Sequence, residues 1–275
     1  MSISISQINN LRKKTGAGIL DCKKALLKSS GDFDKAIDIV RTMGKTFHDS
    51  NRKVSEGSIF IKINDDSNSA LIMSLLCETD FVSNNPLFKK MGEDLVNHLF
   101  ISFDNAKNTY DIKSTENLIT KFTSRFKEKI KIGFCYKLSS ELIIPYLHNK
   151  GQIGVLLGLS GLENHNEETL NSLRDVSMQI ASMNPISINV KDMELSILEK
   201  EEKIIRDTLE KQKNDKILND KNILNRVVKG KLDKFIKDNT LLNQKFVKDS
   251  SKTVSDHLNS ISKNISITSF RRLSI

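Results

Sequence analysis

The most constraining stretch of the sequence is an apolar run that ends abruptly in polar residues. Residues 71–77 are too few for a typical helix and carry no helix signals, a pattern typical of a buried strand. Asn85 and Pro86 then predict a helix start, because Asn caps free N–H groups and Pro lacks an N–H that the first turn would leave unbonded. Residues 79–82 therefore lie in a connection between a strand and a helix.

Phe81 stands in this connection, beside Asp80. Functional residues concentrate in loops, so one interpretation is an exposed Phe81 that meets a partner. The alternative is that Phe81 folds back under its own loop, because large apolar side chains are mostly buried. The stretch by itself leaves both interpretations open.

Composition limits the class of molecule. The chain has 275 residues, of which 38% are hydrophobic and 28% charged, which predicts a globular protein of two or three modules. The net charge is +9, but the basic residues are scattered, and with no Trp and 3 Tyr there is little for bases to stack on. We therefore expect an acidic protein partner or a solvated lysine-rich surface, and no nucleic-acid partner.

Other patterns exclude several functions. Cys22, Cys77 and Cys135 form no disulfide framework, which suits a reducing cytosol, and the histidines lack metal-ligand spacing. The sequence contains no catalytic motif, no membrane-spanning run, and no signal or transit segment at its start. We expect a cytoplasmic protein that is not an enzyme, needs no cofactor or metal, and does not contact a membrane.

Residues 1–45 predict a bundle of three short helices, and the polar residues 46–56 predict a linker. Ser4 or Ser6 can cap the first helix and Asp32 the third. Gly16 and Gly18 raise the alternative of a phosphate-binding loop and hence a nucleotide-using enzyme. That pattern fails, because such loops follow a strand and need further glycines.

The remaining chain predicts an α+β core and an arm. Strands at 57–63, 70–77, 130–138, 142–147 and 153–159 alternate with helices at 86–101, 115–129 and 167–183, so that strand, strand, helix occurs twice. We expect two halves with antiparallel sheets, 57–139 and then 140–190 with 230–275. Near-heptad apolar spacing in 191–229 predicts an arm of two antiparallel helices, with one long surface helix as the alternative.

Several motifs resemble those of bacterial elongation factor Ts. The matching stretches are Thr15-Gly16-Ala17-Gly18 with the following Asp21-Cys22-Lys23-Lys24-Ala25-Leu26, then Cys77-Glu78-Thr79-Asp80-Phe81-Val82, and Tyr146-Leu147-His148-Asn149-Lys150-Gly151. The resemblance extends over nearly the whole chain. It implies a UBA-like first bundle, a two-part core and a protruding coiled-coil arm, which is a candidate for self-association.

The resemblance also implies a function, guanine-nucleotide exchange on elongation factor Tu. The segment of Thr79, Asp80, Phe81 and Val82 would enter the nucleotide domain of Tu, with Phe81 wedged between two helices, so that Mg²⁺ and then GDP leave. Lys23 would also touch that domain. His148 and Val247 would touch a second domain of Tu.

Three features depart from the family pattern. Lys127 stands at a family glycine, the arm lacks a proline in its turn, and the sequence ends at Ile275, where many members continue into a further helix that grips Tu. The absence of that terminal helix predicts weaker binding to Tu or a reduced-genome variant. A basic RNA-binding module is the remaining rival, and it predicts binding that falls steeply with salt.

Overall fold

A computed structural model describes residues 3–15, 17–42, 53–104, 109–110, 112–211 and 220–275. The chain begins with three helices, α1 (Ile5–Thr15), α2 (Ile19–Lys28) and α3 (Phe33–Thr42). Their apolar faces form one buried cluster. Ser4 and Asp32 cap α1 and α3, accepting the N–H groups of Gln7 at 3.2 Å and Lys35 at 3.1 Å. Most of the predicted linker, and Gly16, lie outside the described residues.

Two antiparallel sheets of three strands follow. The first has the order β1 (Glu56–Ile63), β2 (Ser69–Cys77), β3 (Lys131–Ser139), and the second the order β4 (Leu142–His148), β5 (Ile153–Ser160), β8 (Ser266–Ser274). A small hairpin joins β6 (Lys245–Phe246) to β7 (Asp249–Thr253). The central strands β2 and β5 are buried along almost their whole length, which explains their continuous apolar sequences.

Helices cover the outer face of each sheet. α5 (Pro86–Ser102) and α6 (Ile112–Phe126) pack on the first sheet, and α7 (Glu167–Met183) and α10 (Val254–Ile261) pack on the second. The inner faces meet each other through a cluster that includes Ile72 from β2 and Leu156 from β5. The core is therefore a helix–sheet–sheet–helix stack, and the predicted α+β fold with antiparallel sheets is confirmed.

The predicted repeat of two strands and a helix was incomplete. β3 returns to the first sheet and pairs with β2, and β8 returns to the second sheet and pairs with β5. Each half is thus two strands, a helical segment and a third strand. Strand periodicity locates a strand but does not say which neighbour it will pair with, so the sequence pattern left this assignment open.

The arm consists of α8 (Leu195–Lys211) and α9 (Lys221–Asn239), packed together through Ile205, Leu209 and Val228. Asp220 caps α9, accepting the N–H of Asn222 at 2.8 Å, so a new helix begins there. The alternative of one long helix is therefore wrong. α9 also continues past residue 229 to Asn239, so Gly230 does not end it.

Candidate partner interface

The chain leaves β2 at Cys77 and enters α4 (Asp80–Ser83), a single helical turn. The prediction of a loop across residues 79–82 was therefore wrong, because Asp80 to Ser83 are helical and Thr79 is the extended N-cap. The side-chain amide of Asn84 donates to the Asp80 carbonyl at 2.9 Å and closes the turn. We call residues 79–84 the Phe81 turn.

Phe81 projects from this turn into solvent with 85% of its surface exposed. Val82 and Ser83 beside it are 8% and 6% exposed, and Val82 joins the apolar cluster under α5. The alternative in which Phe81 folds back is wrong. Val82, also predicted as a partner contact, is buried here and anchors the turn to the core.

The Phe81 turn is bonded on its inner side to the connection between α6 and β3. The Glu128 carboxylate accepts the N–H groups of Glu78 and Thr79, each at 3.1 Å, and the Thr79 hydroxyl at 2.6 Å. In return, the Glu78 carboxylate accepts the Lys129 N–H at 2.7 Å. Sequence reasoning did not identify Glu78 or Glu128, because side-chain bonds between distant segments leave no local pattern.

Cys77 also supports the Phe81 turn and is chemically inert. Its thiol donates to the Thr79 carbonyl at 3.3 Å. Burial, with a contribution from the nearby Glu128 and Glu56 carboxylates, raises the pKa of Cys77 to about 12. The thiol therefore stays protonated at neutral pH and acts as a packing group.

The second half presents a groove instead of a projection. His148, at the end of β4, and Val247, between β6 and β7, line one cavity of about 240 Å³ together with Tyr146, Ile153 and Met178 from β4, β5 and α7. We call this cavity the Val247 groove. The resemblance implied one partner domain for His148 and Val247, and the fold places both residues on one cavity.

Gln179 fixes the hairpin that carries Val247. Its side chain is 1% exposed and accepts the Val247 N–H at 2.8 Å, while donating to the Lys245 carbonyl at 3.0 Å. At the groove rim, Lys248 pairs with Asp175 at 2.7 Å. Val247 itself is 60% exposed. The groove therefore offers an apolar lining on a backbone that is bonded in place.

Lys89 connects the two regions. It lies on α5, just after the Phe81 turn, and its ammonium donates to the Ser58 hydroxyl and, at 2.9 Å, to the Lys150 carbonyl beside His148. Burial lowers the pKa of Lys89. Residues 148–150 are thus attached to the helix that follows the Phe81 turn, so the two regions are connected directly.

Lys23 lies on the exposed side of α2, in the first bundle. The neighbouring Ile19, Leu20 and Leu27 are 51%, 71% and 53% exposed, so the Lys23 charge stands among apolar side chains. Such a mixed face on a helix is typical of a protein contact surface.

Within the described segments, no group of His, Cys, Asp and Glu side chains is arranged to hold a metal ion. The helices of those segments are also too short or too polar to cross a membrane. An exposed aromatic, an apolar groove and a helix face that mixes lysine with apolar side chains are features found on protein-binding surfaces.

Comparison with known proteins identifies the family. A sequence model of the family described as elongation factor Ts matches residues 78–275. The chain belongs to the elongation factor Ts family. Its relatives include elongation factor Ts of Christiangramia forsetii, 35% identical over 279 residues and covering 99% of this chain and 98% of the relative. Elongation factor Ts of Aquifex aeolicus is 33% identical over 292 residues, covering 100% of this chain and 98% of the relative.

The elongation factor Ts family match spans the Phe81 turn, Glu128 and the Val247 groove, since all lie within residues 78–275. The first bundle lies outside that span but inside the alignment to both relatives, which covers nearly all of this chain. The resemblance predicted from the sequence motifs is confirmed at the level of the family.

Proposed function

We propose that this protein is a guanine-nucleotide exchange factor for elongation factor Tu. It binds Tu in its GDP form and promotes release of Mg²⁺ and GDP, so that GTP can bind during translation elongation. Family membership supports the choice of partner. The observation that carries the mechanism is Phe81, an aromatic side chain 85% exposed on a turn fixed to the core.

Exchange follows from thermodynamic linkage between two ligands of Tu. If the factor binds Tu more tightly without GDP than with it, then the bound factor lowers the affinity of Tu for GDP by the same ratio. The factor needs neither nucleotide nor metal of its own for this. It needs a contact that fits the empty form of Tu better than the occupied form.

Phe81 provides that contact in our proposal. It enters a crevice between two helices of the nucleotide domain of Tu, with Asp80 beside it, and displaces the elements that hold Mg²⁺. Mg²⁺ is among the largest local charges at a phosphate site, so its loss strongly weakens the binding of GDP to Tu. A buried aromatic anchor is the common form of an interface hot spot, contributing about 2 kcal/mol or more.

The other two surfaces hold the complex together. The Val247 groove, with His148 at its rim, receives side chains from a second domain of Tu. Lys23 and its apolar neighbours touch the nucleotide domain from the first bundle. In this proposal residues 1–45, the two core halves and the arm are the domains of the chain, and the arm is a candidate for self-association.

The test is release of a fluorescent GDP analogue from Tu of the same source. We expect this protein to accelerate release strongly, and excess Mg²⁺ to oppose the acceleration. Ile101 offers a matched control for Phe81, since it is an apolar side chain on the same half with 84% exposure. Ile101→Ala should keep full activity while Phe81→Ala loses most of it. A folded wild-type protein that leaves the release rate unchanged would contradict the proposal.

A further inference from the structure

We infer that Glu128 is a positioning residue for exchange, because its carboxylate holds the turn that presents Phe81. This inference rests on the proposed function, and Glu128 itself need not touch the partner. Three hydrogen bonds connect it to Glu78 and Thr79, immediately before Asp80 and Phe81.

The Phe81 turn needs such support because α4 has only four residues. A helix this short is not stable by itself, since nucleation costs more than one turn of hydrogen bonds returns. Its first N–H groups also lack partners within the helix. Thr79 is the N-cap, but no side-chain cap bond forms within α4 itself. Glu128 does not cap those N–H groups. It accepts from the N-cap residue and the residue before it, and so fixes the start of the turn.

One of the three bonds has the length of a strong charge-assisted contact, while the two N–H bonds, each at 3.1 Å, are of ordinary length. A carboxylate that accepts N–H or O–H groups makes charge-assisted bonds, which are shorter and stronger than neutral ones. The 2.6 Å contact with the Thr79 hydroxyl falls in that range. A neutral Gln at this position would keep one acceptor oxygen and lose the other, so it should hold the Phe81 turn only partly.

Glu78 makes the arrangement reciprocal. Its carboxylate accepts the Lys129 N–H, while Glu128 accepts the Glu78 N–H, so each carboxylate bonds to the backbone of the opposite segment. We call this pair the carboxylate clasp. Both segments continue directly into paired strands, since Leu76 of β2 stands opposite Lys131 of β3. The clasp therefore continues the backbone bonding between the two segments beyond the end of the sheet, as far as the turn that carries Phe81.

The function of this rigidity is preorganisation. An anchor that is already fixed loses little conformational freedom on binding, and it transmits force to the helices it separates. A loosened turn would still carry Phe81, but in many orientations. Because few of them would fit the crevice, the defect should appear in the exchange rate while the core stays folded.

The experiment is a double-variant cycle on GDP release with wild type, Phe81→Ala, Glu128→Ala and the pair. We expect Glu128→Ala to slow release by about tenfold, a smaller loss than removal of the aromatic anchor itself, with Glu128→Gln in between. In the Phe81→Ala background, Glu128→Ala should have little further effect, because it acts through Phe81. Glu116→Ala, an exposed change on α6, is the matched control and should have no effect.

Equal slowing by Glu128→Ala in both backgrounds would overturn the inference, because Glu128 would then act independently of Phe81. A second measurement applies to the protein alone and uses the backbone amide order parameters of residues 79–84 from nitrogen-15 relaxation. We expect these order parameters to fall in Glu128→Ala and, less so, in Glu128→Gln. Unchanged order parameters in both variants would also overturn the inference. Failure of the wild type to accelerate release would instead contradict the proposed function, and the relaxation result would remain interpretable.

Discussion

The two halves of the core share one plan but present opposite shapes to a partner. The first half projects Phe81 from a clasped helical turn, whereas the second half opens the Val247 groove between its sheet, α7 and the β6–β7 hairpin. Both are bonded to the backbone from behind, by Glu128 in one case and Gln179 in the other. Phe81 can insert into a partner and change its conformation. The Val247 groove can only bind a side chain that the partner presents.

This difference predicts that the two regions govern different kinetic parameters. Insertion of Phe81 favours one conformation of the partner and should govern the maximum rate of nucleotide release. Reception of a side chain adds similar binding energy to both nucleotide states of the partner, so it should govern affinity. Variants in the two regions should therefore change different parameters of the same saturation curve.

Phe81→Ala should have the largest effect. Loss of an anchor contributing about 2 kcal/mol corresponds to roughly a 30-fold lower maximum rate of GDP release. Stopped-flow measurement at saturating concentrations of the factor gives this rate directly. A normal maximum rate, reached only at higher concentration, would show that Phe81 supplies affinity and would remove the contrast between the halves.

Val247→Ser should have a smaller effect of a different kind. Replacing a half-exposed apolar side chain in a contact groove costs about 1 kcal/mol, which raises the half-saturating concentration by roughly fivefold. The maximum rate should be unchanged. Val190→Ser is the control, since Val190 is 41% exposed but lies outside the groove. Equal effects of the two substitutions would argue against the groove as a contact.

Lys127→Gly should change stability and leave exchange intact. Lys127 has a left-handed φ of 58° after the end of α6, where a side chain is strained and glycine is not. After allowing for the greater freedom of glycine in the unfolded chain, we expect a gain of about 0.5 kcal/mol in the free energy of unfolding. Lys121→Gly inside α6 should instead lose about 1 kcal/mol. Urea denaturation measures the free energy of unfolding of both variants. Destabilisation by Lys127→Gly would contradict the interpretation that the backbone at Lys127 is strained by its side chain.

The smallest effect we expect is a pH dependence confined to the groove side. His257 is 8% exposed and stacks on Phe246 of the hairpin at 3.9 Å between ring centroids. The pKa of His257 is lowered, mainly because the ring is buried, and the charge of Lys252 lowers it further. The hydrogen bond with the Ser172 backbone and the charges of Asp175 and Asp249 act in the opposite direction but do not cancel the effect of burial. Because the folded protein binds this proton less readily than the unfolded chain, stability should fall as the pH drops through the ordinary histidine range.

Urea denaturation at about pH 7.5 and about pH 5.5 measures that loss. His257→Gln should reduce the difference in unfolding free energy between the two conditions. Replacing the exposed His165 by Gln should not. An identical loss in wild type and His257→Gln would assign the acid sensitivity to other groups.

Local sequence signals predicted much of this molecule because they depend on near neighbours. The Asn85 cap of α5 and the Asp32 cap of α3 are bonded within a few residues, and the apolar run of β2 is continuous in the sequence. The structure contains each of these features. Phe81 could be singled out because an aromatic between a strand and a helix start is unusual. The helical form of residues 80–83 was missed, since so short a helix depends on contacts from elsewhere.

Long-range features could not be predicted in the same way. The pairing of β3 with β2, the meeting of His148 and Val247, and the bonds of Glu128 all join segments far apart in the chain. Glutamates in a lysine-rich sequence resemble surface residues until a fold gives them backbone partners. Lys127 has a left-handed φ, a conformation that glycine adopts without strain, and a sequence pattern does not reveal such a backbone angle.

The most direct test of the account is the saturation curve of GDP release for wild type, Phe81→Ala and Val247→Ser, measured side by side. The account predicts that Phe81→Ala lowers the plateau and that Val247→Ser moves the half-saturating concentration without lowering it. If both variants change the same parameter, the Phe81 turn and the Val247 groove contribute to exchange in the same way. The proposal that one half governs the maximum rate and the other governs affinity would then be wrong.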